Sequence, residues 1–289
     1  MKKLRISTSC NLHGAVKGNV NDWFRQWLPL YKKSGFDALD CPLKLFTTEE
    51  DGWRERIERL QQDAAAVGLK FELCHLPFGA KPGATEEELA PFNALVHRSI
   101  DAAALLGVDY AVLHPMSVTV PAEEYHYDKW FEMCRAHMDP FAEHAAKAGV
   151  KLAVENMRIV PAHYPVRRYC QNEEELCALA DSLEIGICWD FGHANISGVK
   201  QSEALKTVGK RLKVLHVNDN HAEDDVHIPP FMGNTDWADA MKGLAVSGFD
   251  GLFNYEIAAN RIPDALREEF AAYLVHAADE LMGLMPISD

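Results

Sequence analysis

The chain has 289 residues, 48% of them hydrophobic and 25% charged, with a formal net charge of −14 and seven cysteines. That is a globular composition, far from those of disordered or low-complexity chains. The acidity argues against a nucleic-acid partner, because gripping a phosphate backbone needs clustered Lys and Arg that release counterions. An odd set of cysteines without a C-x-x-C pair suggests neither a disulfide framework nor a cysteine zinc site. The start, MKKLRISTSCNLHG, is basic but carries no apolar run of signal-peptide length, and no later segment is long and apolar enough to span a bilayer. A soluble, cytoplasmic protein without a membrane partner is expected.

Along the chain, short apolar runs alternate with longer amphipathic ones. Candidate strands occupy 4–9, 36–40, 70–75, 108–114, 150–155, 184–190, 212–217 and 251–256. Helical patterns follow them at 20–33, 50–67, 86–106, 128–148, 172–182, 200–210, 236–247 and 264–284. Ser34-Gly35, Val67-Gly68, Leu106-Gly107, Ala148-Gly149 and Ser247-Gly248 punctuate the helix ends, where glycine supplies the left-handed closing residue. Cys74 and Cys188 lie inside strands and read as small core residues. The repeated βα unit predicts an α/β fold, a (β/α)8 TIM barrel forming a single domain over 1–289. A doubly wound sheet fits less well, since no G-x-G-x-x-G follows the first strand. The longer loops 115–127, 156–171, 191–199 and 218–235 then rise over one mouth.

Six of the strands end in a residue able to bind a metal: FELCHLP (His75), YAVLHP (His114), KLAVEN (Glu155), IGICWD (Asp190), LKVLHV (His216) and GLFNYE (Glu256). In a parallel barrel all six ends meet at the mouth where barrel enzymes place their chemistry. Glu155, Asp190, His216 and Glu256, from strands 5 to 8, offer one nitrogen and three carboxylates, a set suited to Mn²⁺, Co²⁺, Mg²⁺ or Zn²⁺. One divalent ion is therefore the expected cofactor, with no organic cofactor. Glu155 and Glu256 would approach a bound substrate from different sides, as catalytic base and acid. Arg158, with Arg167 and Arg168 near Tyr164 and Tyr169, offers to hold a phosphate or carboxylate, although solvated surface arginines are an equal reading. Trp23, Trp53 and Trp237 read as core, whereas Trp189, beside a candidate ligand, is a candidate stacking wall for a substrate.

Asp190 to His193 read D-F-G-H, His216 to Asp219 read H-V-N-D, and Asp225 to His227 read D-V-H, running into H-I-P-P-F-M-G-N-T-D-W. With these motifs essentially the whole chain resembles the xylose isomerase-like barrel superfamily, which includes sugar phosphate isomerases and epimerases, inosose dehydratase and endonuclease IV. The resemblance implies that Glu155, Asp190, His216 and Glu256 hold one divalent ion and that His193 contacts a substrate oxygen. His75, His114 and His227 join His193, Arg158 and Trp189 as substrate-binding candidates. The sugar epimerases carry an arginine six residues after the metal histidine, where this chain has Ala222. Endonuclease IV uses nine ligands for three zincs, and all have counterparts here, which makes His75, His114, His193, Asp225 and His227 possible additional metal ligands.

The acidic charge, with Glu123 and Glu124 in loop 115–127, favours sugar over DNA. The expected function is thus an isomerase or epimerase of a small sugar, sugar phosphate or keto-polyol, moving a proton through a metal-stabilised enediolate. An endonuclease IV-like zinc phosphodiesterase and an inosose dehydratase-like lyase are the alternatives. A homo-oligomer is compatible with the resemblance, since relatives commonly form dimers or tetramers.

Overall fold

Successive strand residues point to opposite faces, so each apolar run here supplies one face to the lumen of a barrel and the other to a surrounding layer of helices. The computed structural model describes residues 3–12, 14–159 and 165–286; Tyr164 lies outside them. The strands are β1 (Arg5–Thr8), β2 (Ala38–Pro42), β3 (Phe71–His75), β4 (Tyr110–Leu113), β5 (Lys151–Glu155), β6 (Gly186–Asp190), β7 (Leu212–His216) and β8 (Leu252–Tyr255). They are parallel, in the order β8-β1-β2-β3-β4-β5-β6-β7. A bridge between Val217 and Tyr255, with the Val217 N–H donating to the Asn254 carbonyl at 2.8 Å, joins the two ends of that order. The chain is a single-domain TIM barrel, as the βα repeat predicts.

Eight longer helices clothe the barrel: α1 (Val20–Ser34), α2 (Trp53–Ala66), α3 (Glu86–Leu106), α4 (Tyr127–Ala148), α5 (Glu173–Ser182), α6 (Gln201–Val208), α7 (Trp237–Ser247) and α8 (Arg267–Gly283). The glycines expected at the five αβ junctions all take positive φ, between 70° and 102°, which is the left-handed turn that ends a helix. Loop 191–199 differs from expectation, because Phe191–Ile196 forms a short helix. Its cause is local: the Asp190 side chain caps it, accepting from the His193 N–H at 2.6 Å. Loops 115–127 and 156–171 are likewise tied together, by an antiparallel pairing of Val120–Pro121 with Val166–Arg167.

One small apolar residue from each of seven strands fills the lower lumen: Ala38, Leu73, Val112, Ala153, Cys188, Val214 and Leu252. All seven cysteines are buried and free. Among the described residues no helix is long and apolar enough to cross a membrane.

Outside the barrel, α6 and α7 meet backbone to backbone. A Cβ added at Gly243 would lie 2.7 Å from the Gln201 carbonyl oxygen and 2.8 Å from the Ser202 Cα, neither of which can yield by rotating a side chain. Gly243→Ala should therefore destabilise the fold by about 1–3 kcal/mol through overpacking. A denaturant midpoint equal to that of the parent protein would contradict this packing.

Candidate metal centre

Two residues beyond the apolar lumen layer, the same alternation brings polar side chains inward: Asp40 above Ala38, His75 above Leu73, His114 above Val112, Glu155 above Ala153, Asp190 above Cys188 and His216 above Val214. Glu155, Asp190, His216 and Glu256 each place one ligand atom within 4.8 Å of the others. His216 Nδ1 lies 3.1 Å from Glu155 Oε1 and 3.2 Å from Glu256 Oε2. Glu155, Asp190 and His216 are buried. No Lys or Arg among the described residues pairs with these three carboxylates; their cationic neighbours are histidines. Both ring nitrogens of His216 and the Glu155 Oε2 are buried yet lack hydrogen-bond geometry to any partner. A buried set of oxygen donors and one imidazole, close together and with polar atoms left unpartnered, fits a hard or borderline divalent ion.

The electrostatics show how closely the charges are matched. Burial alone would push the Glu155 carboxyl up, but His216 and His114 hold it well below the usual carboxylate range. Burial would neutralise His216, but Glu155 and Glu256 raise its pKa instead. Asp190 is pushed upward, chiefly by burial and further by Glu155, with His193 opposing. A dication held by the four residues would take over the compensating role of the histidine protons.

A second layer of amides fixes this set. Asn218 Nδ2 donates to Asp190 Oδ2 at 2.7 Å. Asn156 brackets the Asp190 backbone, accepting its N–H at 2.6 Å and donating to its carbonyl at 3.0 Å. Room for Asn218 depends on Gly192, where a Cβ would fall 1.9 Å from the Asn218 Oδ1. Asp219, next in the H-V-N-D motif, accepts from the Gly233 N–H at 3.0 Å, the Thr235 N–H at 3.1 Å and the Trp237 Nε1 at 3.1 Å. It thereby anchors the far end of the loop that carries Asp225 and His227.

Beside the first set lies a second group, His193, Asp225 and His227. His193 Nδ1 donates to the Asn156 carbonyl at 2.8 Å and His227 Nδ1 to the Glu256 carbonyl at 3.0 Å. A carbonyl only accepts, so both protons are fixed on Nδ1, and both Nε2 atoms face Asp225, at 3.5 and 3.1 Å. Arg158 Nε reaches the same carboxylate at 2.8 Å. Burial opposes charge on His193, but Asp190 and Asp225 raise its pKa to about 9.

His75 stacks on His216, with ring centroids 4.5 Å apart, and His114 Nε2 sits 2.8 Å from Glu155 Oε2. Arg168 is committed to structure, donating to Ser117 Oγ and to the Ser117 and Arg158 carbonyls at 3.2 Å each. Arg167 lies over the Tyr125 ring, and Tyr169 is fully buried.

Trp189 requires a correction. It neighbours Asp190 in sequence, but alternation turns it to the opposite face, into the core between barrel and helices. It is fully buried and donates through Nε1 to Gln201 Oε1 at 3.1 Å, so it cannot line a substrate pocket in the mouth. Trp23, Trp53 and Trp237 are core residues, as expected. Asp40, Asn156, Asn218 and Asn254, which no sequence pattern marks as functional, are also buried at the mouth.

The sequence profile of the xylose isomerase-like TIM barrel family matches residues 28–274. The chain belongs to this family. Among its relatives, an uncharacterized protein of Sinorhizobium fredii is 28% identical over 171 residues, 58% of this chain and 53% of that one. Another uncharacterized protein, from Methanocaldococcus jannaschii, is 26% identical over 202 residues, 68% of this chain and 66% of that one. The matches thus span less than two thirds of either relative. Solved structures with the same fold include an L-ribulose 3-epimerase, at TM-score 0.75 and 17% identity over 97% of this chain and 95% of that one. A D-allulose 3-epimerase from Methylomonas sp. in complex with D-allulose has TM-score 0.74 and 16% identity, covering 96% and 98%. A 3-keto-D-glucoside 4-epimerase from E. coli has TM-score 0.70 and 18% identity, covering 97% and 100%.

In this family member, Asn218→Ala should weaken binding of a divalent ion by about 10–100-fold, the usual cost of losing an outer-shell partner, as read by calorimetric titration. Trp189→Phe should instead leave metal affinity intact and cost about 1–3 kcal/mol of stability, because Gln201 loses its buried donor. The reverse pattern would overturn both assignments.

Proposed function

We propose that the protein is a divalent-metal-dependent epimerase or isomerase of a small keto-sugar or keto-polyol, cytoplasmic and acting as one domain over 1–289. The observation that carries this reading is the convergence of Glu155, Asp190 and His216 from strands β5 to β7, and of Glu256 from the end of β8, on one buried point. The sugar substrates named for the structural neighbours support the substrate class.

A divalent ion bound there supplies Lewis-acid stabilisation for the negative charge that develops when a proton leaves the carbon next to a keto group. The chain's residues do the rest. Glu155, held ionised by His216 and His114, is the base on one side. Glu256, 3.2 Å from the same His216 Nδ1 that Glu155 approaches, is the group through which a proton returns. Because burial keeps bulk water from Glu155, the carbon-bound proton passes to and from side chains, and these exchange it with solvent between turnovers. Return to the opposite face gives an epimer, and transfer between adjacent carbons gives an aldose–ketose pair. Loss of a neighbouring hydroxyl would make the protein a lyase. His193, its Nε2 3.5 Å from Asp225, is assigned with His227 and Arg158 to bind substrate oxygens.

One observation favours a second reading. The His193–Asp225–His227 group, together with His75 and His114, provides ligands for further ions, as a zinc phosphodiesterase acting on abasic DNA would require. The net charge of −14 weighs against a phosphate-backbone partner.

With Mn²⁺ in D₂O, the protein should wash deuterium into one carbon of a keto-sugar such as D-allulose, D-tagatose or L-ribulose, followed by NMR. Glu155→Gln and Glu256→Gln should each lower that rate by about 10²–10⁴-fold, as expected for an acid–base group, with unchanged circular dichroism. Near-parental exchange in either variant removes that residue from catalysis. Incision of an abasic-site duplex with Zn²⁺ at low salt, lost in His75→Ala and His114→Ala, would put the phosphodiesterase first.

A further inference from the structure

Asp40 is fully buried at the mouth, one inward step above Ala38 on β2. Its Oδ1 lies 3.0 Å from His75 Nδ1, and its Oδ2 accepts from Asn254 Nδ2 at 2.8 Å. Asn254 Oδ1 in turn accepts from Ser7 Oγ at 2.7 Å, and both residues are fully buried. The chain Ser7–Asn254–Asp40–His75 thus crosses β1, β8, β2 and β3, the half of the barrel that contributes no ligand from β1 or β2 to the four-residue set. No Lys or Arg pairs with Asp40 among the described residues; its one ion-pair partner is His75.

A buried carboxylate costs several kcal/mol of desolvation, and an apolar residue like the one two positions below would pack here without that cost. What Asp40 provides is direction. A carboxylate only accepts hydrogen bonds, so the proton between it and His75 sits on Nδ1, and the ring is locked with its buried, unpartnered Nε2 turned toward Glu256 Oε1 at 3.4 Å. Among the described mouth histidines, His75 is the one whose Nδ1 is hydrogen-bonded to a carboxylate outside the group formed by Glu155, Asp190, Asp225 and Glu256. His193 and His227 are held by backbone carbonyls, and His114 Nδ1 is buried without a partner.

We propose that Asp40 is a positioning residue of the reaction: through the Asp40–His75 hydrogen bond it presents His75 Nε2 to the substrate beside Glu256. The role rests on the epimerase reading above. Without the bond, the imidazole can turn over and show carbon edges to Glu256 and the substrate.

The test compares Asp40→Leu with Asp40→Asn. An asparagine still offers an oxygen to His75 Nδ1, and Asn254 can turn its amide to accept from the new side chain while donating to Ser7 Oγ. In ¹⁵N-histidine-labelled, chelator-stripped protein, a slowly exchanging Nδ1–H signal, assigned by its absence in His75→Gln, should be present in the parent and in Asp40→Asn. Asp40→Leu should lose it. Deuterium wash-in with D-allulose and Mn²⁺ should fall about 10–100-fold in kcat for Asp40→Leu, the cost typical of a lost outer-shell partner, with KM little changed, and Asp40→Asn should recover most of it. Persistence of the Nδ1–H signal in Asp40→Leu, or equal loss of kcat in both variants, would overturn the proposal, since a role of charge alone treats both variants alike. If the parent turns over no keto-sugar, the epimerase reading fails, and the Nδ1–H signal still decides whether Asp40 orients His75.

Discussion

Three carboxylates converge at the top of an apolar lumen, and most of what surrounds them answers the cost of putting them there. Glu155, Asp190 and Glu256 have no Lys or Arg partner among the described residues, so their charge is balanced by histidines and directed by amides. Asn218 and Asn156 fix Asp190 from the side chain and from the backbone. Gly192 exists in that turn because Asn218 fills the space a Cβ would need. Such an arrangement is poor economy for stability, since matched apolar residues would pack the same volume at less desolvation cost. It suits the divalent ion and anionic intermediate of the proposed reaction.

The barrel geometry explains why one set of strands can do both jobs. A lumen layer of small residues, from Ala38 through Val214 to Leu252, makes the barrel solid. One alternation higher, the same strands turn the same face to the mouth, and polar residues there need no further structural device to converge. Strand phase is therefore the link between sequence and chemistry in this protein.

That phase also marks what was legible in the sequence. The βα repeat, the glycine-closed helices and the six ligand-bearing strand ends follow from local patterns, and the residues around Glu155, Asp190, His216 and Glu256 meet as their equivalent positions imply. Asp40 escaped notice because a lone aspartate after Ala38-Leu39 carries no motif. Only the inward spacing from Ala38 places it in the lumen. Asn254 precedes Glu256 by one inward step and is equally silent. Trp189 was misplaced for the complementary reason: adjacency to Asp190 along a strand means the opposite face, and its indole partner, Gln201, lies eleven residues beyond Asp190 on α6. The Asp219 anchor depends on hydrogen bonds from Gly233, Thr235 and Trp237, well beyond it along the chain, which no local pattern records.

The central claim, that Glu155, Asp190, His216 and Glu256 together hold a single divalent ion, is tested most directly by anomalous diffraction from crystals of the protein grown with Mn²⁺. The account predicts one strong peak within bonding distance of all four side chains. No peak there, or separate peaks centred on His193–Asp225–His227 and on His75–His114 as well, would contradict it.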